Sequence, residues 1–119
     1  DAGPIYLTKK LNLDGTLKEI LKGLDIIINS MILEIIEELP KPKIQIGKVT
    51  TFKRLGAKDN KIPKNSLIND FYDRVRMLDD ETYPNSYIEY GDLIIEFKKP
   101  KFQNNDLICE SIIKLKKDR

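Results

Sequence analysis

The chain has 119 residues, 40% of them hydrophobic and 34% charged, with a formal net charge of +2, one cysteine and no histidine. That suits one compact domain or two small subdomains. The lack of histidine excludes a Ser-His-Asp triad, a Cys-His pair or a His-built zinc site within these residues. No Walker loop or GxGxxG is present, and no apolar run reaches membrane-spanning length. The lone Cys109 excludes an internal disulfide and fits a reducing, cytoplasmic setting. It reads as a small hydrophobe on a half-buried strand. Asp1 is an unusual native start, so the sequence reads as a processed or partial chain.

Residues 5–13, IYLTKKLNL, read as a short strand leading into an Asp14-Gly15 turn. Thr16 and Glu19 then have the spacing of a capping box, which opens a long helix. Its apolar stripe is Leu17, Ile20, Leu21, Leu24, Ile27, Ile28, Met31, Ile35 and Leu39. The stripe is broader than a coiled-coil seam and its heptad is not sustained, so a core helix is favoured over a dimerisation helix. Pro40 and Pro42 stop it, because proline cannot continue the hydrogen-bond ladder. Residues 44–54, IQIGKVTTFKR, read as extended, and 56–65 as a polar linker between two subdomains.

Ser66 is placed as the cap of a second helix whose apolar face is Leu67, Ile68, Phe71, Val75 and Leu78. Tyr83-Pro84-Asn85 ends it. Residues 87–90 and 93–97 read as strands joined by a two-residue Gly91-Asp92 hairpin turn, and 107–115 as a third strand. Lysines crowd the end of the chain: Lys98, Lys99, Lys101, Lys114, Lys116 and Lys117, with Arg119. They could follow a phosphate backbone or merely guard exposed strands, and neighbouring acidic residues dilute their field.

The segment SLINDFYDRVRMLDDETYPNSYIEYGDLIIEF resembles the junction between catalytic and C-terminal domains in the methionyl-tRNA formyltransferase family. Arg76, Met77, Leu78, Asp79, Tyr83, Pro84, Gly91 and Phe97 carry that likeness. Asp1-Ala2-Gly3-Pro4-Ile5-Tyr6 is similar to a family element whose Asp belongs to the catalytic centre, and Gln45 and Thr51-Phe52-Lys53-Arg54 fit further family positions. The resemblance implies an α/β architecture in three parts. Residues 1–55 would form the rear of a Rossmann-like catalytic domain, contributing an edge strand and a covering helix. Residues 56–65 would be a linker, and 66–119 a shortened C-terminal domain of one helix and a small antiparallel, OB-like sheet.

It also implies a reaction. The family moves a formyl group from 10-formyltetrahydrofolate to an amine, using an Asn-His-Asp trio to take the amine proton and steady the oxyanion. Only the Asp has a counterpart, Asp1. The His, the Asn and most of the folate pocket would lie in a missing N-terminal half, so these residues alone are expected to be inactive. Arg76 is a candidate for binding an acceptor phosphate or carboxylate through its planar fork, or else for pairing with Asp73, Asp79 or Asp80. Tyr83 is a candidate for stacking on a substrate ring, or for packing under the hairpin. Two acceptors remain open: methionyl-tRNA and an amino-sugar nucleotide. A non-enzymatic interaction module is the rival class, and no membrane partner or metal is expected.

Overall fold

The computed structural model describes residues 3–117. Two compact units are present. One takes the chain up to Asp14 together with Glu19–Lys53. The other takes Gly15–Lys18 together with everything from Arg54 onward.

In the first unit the long helix α1 (Leu17–Glu38) is the one regular element. It begins one residue after Thr16, where the sequence places the cap. It ends before Leu39, whose φ of 45° departs from helical geometry, and before Pro40. Ile20 is buried, and Leu17, Leu24, Ile27, Met31 and Ile35 are half-buried, so the inward line follows helical spacing. Leu21, Ile28 and Leu39 from the expected stripe are exposed. The strand expected over 5–13 is reduced to a single bridge, in which Ile5 and Lys43 exchange two 2.8 Å backbone hydrogen bonds. Beyond it the chain runs along α1. Lys9 Nζ donates to Ser30 Oγ at 3.0 Å and pairs with Glu34 at 2.7 Å. Residues 44–54 form no regular element and lie exposed, because an extended segment with no neighbouring strand cannot satisfy a ladder. The Rossmann-like sheet expected behind α1 is therefore not displayed by the described residues.

The second unit holds a helix on a sheet. The expected linker is structured: Ala57–Asn60 form a 3₁₀ turn, and Ile62 is buried. The Ile62 N–H donates to the Tyr87 carbonyl at 2.8 Å, laying this segment beside the sheet. Helix α2 (Ile68–Met77) is flanked by Leu67, not by the expected Ser66 cap, and no side chain caps its N-terminus. Ser66 instead donates its N–H to the Pro63 carbonyl at 3.2 Å. Leu67 and Ile68 are exposed; the inward face is Phe71, Val75 and Leu78, with Val75 fully buried.

Strands β1 (Tyr87–Tyr90), β2 (Leu93–Gln103) and β3 (Asp106–Leu115) form an antiparallel meander in the order β1-β2-β3. It is an open sheet, smaller than the five strands of an OB barrel. Gly91, with φ of 55°, makes the expected first turn. The second turn is Asn104-Asn105, both at positive φ (49° and 66°), a backbone conformation that asparagine tolerates better than most residues.

Strand β2 is longer than expected because a bulge accommodates Pro100. The register shifts between Lys98 and Lys101, and Lys99 takes φ of 48°. The Lys99 N–H, turned out of the ladder, donates to Asp79 Oδ2 at 3.0 Å. The extra residue resets the alternation of side chains, so Phe97 and Phe102 share one face despite their odd spacing. Helix α2 covers that face. Phe71 meets Phe97 edge-on at 5.0 Å, and Tyr72 meets Phe102 at 5.0 Å.

Candidate functional site

Asp1, the expected catalytic carboxylate, lies outside the described residues. The element behind it is placed: Gly3 offers its carbonyl to Gln45 Nε2 at 2.7 Å, next to the Ile5–Lys43 bridge. Two stretches that the family resemblance singled out separately, Gly3 to Ile5 and Gln45, thus meet in space.

Arg76 sits on α2 with its side chain largely buried. Its Nε donates to Asp73 Oδ1 at 2.6 Å and one terminal nitrogen to the Gly15 carbonyl at 2.8 Å. The guanidinium also lies over the Tyr72 ring, 5.7 Å from its centroid. The planar fork is thereby spread over a carboxylate, a carbonyl and a ring. Asp73 and Arg76 fall one helical turn apart, which is why the pair forms locally. The arrangement fastens the turn before α1 to α2.

Tyr83 is half exposed, on the segment that leaves α2. It lines a groove of about 760 Å³ within the second unit. The groove's apolar lining is Leu55, Met77, Leu78 and Pro84, and its charged lining is Asp59, Asp70 and Asp73 with a single cation, Arg74. Asn60 Nδ2 donates to the Pro84 carbonyl at 2.8 Å and ties the 3₁₀ turn to the Tyr83-Pro84 segment. Asp59 Oδ2 accepts from the Gly56 N–H at 2.7 Å and closes that turn. Tyr83 and Arg76 belong to the same helix-and-turn region, but only Tyr83 lines the groove.

Asp80 follows α2 and accepts from both the hydroxyl and the N–H of Thr82, which holds its carboxyl below the usual range; Lys18 adds to the effect. Cys109 is free and half-buried, and burial, helped by the nearby Asp79 charge, pushes its thiol up. It is a protonated, weakly nucleophilic group at neutral pH.

Ser86 was not foreseen. It is fully buried, and its hydroxyl donates to the Arg74 carbonyl at 2.6 Å. The Leu78 N–H turns to Val75 instead, at 3.2 Å, so the hairpin supplies the partner that the last turn of α2 lacks. A serine after a Tyr-Pro-Asn stop carries no sequence signal for that role. Asn60, which holds the Tyr83 segment, was equally silent, and Asp79, a candidate partner for Arg76, instead accepts from the Lys99 N–H at the bulge.

Three of the terminal lysines are engaged by carboxylates on neighbouring strands. Lys99 pairs with Glu110 at 3.0 Å, Lys114 with Glu96 at 2.8 Å, and Lys116 with Glu89 at 3.0 Å. Glu89 also accepts from Lys61 at 2.7 Å, and the two lysines together hold its carboxyl below the usual range. Among the described residues no group of histidine, cysteine and carboxylates could hold a metal ion, and no helix is long and apolar enough to cross a membrane.

Residues 57–114 match the family model described as the C-terminal domain of methionyl-tRNA formyltransferase. The helix on a three-strand meander is thus a formyltransferase C-terminal domain. The whole fold is similar to the solved methionyl-tRNA formyltransferase from Clostridium thermocellum, with a TM-score of 0.86 and 33% identity. That likeness covers 97% of this chain and 51% of the other, so this chain spans about half its length. Residues 57–114 thus carry the C-terminal domain of the methionyl-tRNA formyltransferase family. No curated protein matches it.

Proposed function

We propose that the chain works as part of a cytoplasmic formyltransferase that passes a formyl group from 10-formyltetrahydrofolate to the amino group of methionyl-tRNA. The observation that carries this reading is the fold likeness over 97% of the chain, together with the C-terminal domain match at 57–114. The chemistry needs a base for the amine proton and a donor for the oxyanion. With no histidine, these 119 residues supply no imidazole base. In this reading those groups come from an N-terminal half that this chain completes, and Asp1 orients the base.

The described residues do not fit the formyl donor. Its glutamyl tail carries carboxylates, and the charged lining of the groove beside Tyr83 is three aspartates with one arginine. No step of the reaction is assigned to that groove. Arg76 serves as a positioning residue, because Asp73, the Gly15 carbonyl and Tyr72 already occupy its guanidinium. Tyr83, half exposed, is the residue of this region free to touch an acceptor.

A second reading has a specific observation behind it. Lys99, Lys114 and Lys116 are matched by carboxylates, which leaves less positive surface for a nucleic-acid backbone. That favours a small acceptor, an amino-sugar nucleotide. The test is formylation by the protein carrying this chain behind an N-terminal half, with each acceptor in turn. Product on methionyl-tRNA, with affinity falling steeply as salt rises, supports the first reading. Product on the sugar nucleotide supports the second. Turnover by the 119-residue chain alone overturns the division of labour in both.

A further inference from the structure

We draw no further inference here: the strongest candidate, the groove lined by the 3₁₀ turn, α2 and the Tyr83-Pro84 segment, carries nothing, because Asp59 and Asp73 are already engaged by the Gly56 N–H and Arg76 and nothing in the structure shows what covers its apolar lining.

Discussion

The two units hold similar stocks of apolar residues and use them differently. In the first, α1 carries a wide aliphatic surface, yet among the described residues Ile20 is the only one there that is buried, and Ile26, Leu33 and Ile36 stand exposed. Its other segments make one bridge and a few side-chain contacts. In the second, Val75, Ile62 and Ser86 are buried, and ring pairs join helix to sheet. The lesson is that amphipathic pattern sets which face a helix can bury, while burial itself needs a partner layer. The second unit has both layers within the described residues; the first has one.

Placing a charge in each unit gives the sharpest contrast. Val75→Asp puts a carboxylate where nothing is solvent-accessible, and should cost about 3–5 kcal/mol, enough to unfold the second unit. Ile46→Asp, at a site 98% exposed in the first unit, should change stability by less than about 0.5 kcal/mol. Chemical denaturation of the two variants checks both, and equal effects would break the comparison. Ser86→Ala comes next in size. It strips the Arg74 carbonyl of its donor at the end of α2 and should lower stability by about 1–2 kcal/mol. Faster amide exchange at Val75 to Leu78 should accompany it.

Much of the second unit was legible in the sequence. Helical spacing of Phe71, Val75 and Leu78 located α2, and the Gly91-Asp92 turn located the first hairpin. What failed there depended on tertiary partners. The segment 56–65 looked like a linker because it is polar, yet one residue of it, Ile62, enters the core through a backbone bond to Tyr87. Pro100 hid the second half of β2, since proline argues against a strand unless a bulge turns its position out of the ladder, and that bulge depends on Asp79 twenty residues earlier. Asn104-Asn105 is a weaker hairpin signal than Asn-Gly, so the second turn is hard to read from the sequence. In the first unit the alternation of 44–54 suggested extension, but nothing in a local pattern says whether a neighbouring strand exists. Of the candidate site, the sequence could name Arg76 and Tyr83 and the choice of roles for each. It could not say that Arg76 would be taken up by Asp73, Gly15 and Tyr72 while Tyr83 stayed at the groove.

The second hairpin sharpens the picture of where the meander's stability lies. Asn105 has φ of 66°, so Asn105→Ala forces an L-residue with no compensating polar group into the left-handed region and should cost about 1 kcal/mol. Asn105→Gly should be neutral or slightly stabilising. Thermal melts of the pair distinguish a turn requirement from a general intolerance of change at this site.

The smallest effect concerns acid. Lys61 and Lys116 converge on Glu89 and lower its pKa in the folded state, so the folded chain binds a proton there less readily than the unfolded chain. The contribution is therefore present above the ordinary glutamate range and is lost as pH falls through the lower folded value. Glu89→Gln should leave the melt near neutral pH close to that of the wild type, because exposed pairs contribute little, and should flatten the fall in melting temperature on the acid side. Asp80, lowered by Thr82 in the same direction, keeps part of that fall in place. A Glu89→Gln profile parallel to the wild type at every pH would mean that the lysine pair holds the carboxylate without favouring its charge. The link from the linker-like segment to β1 would then rest on the Ile62–Tyr87 backbone bond alone.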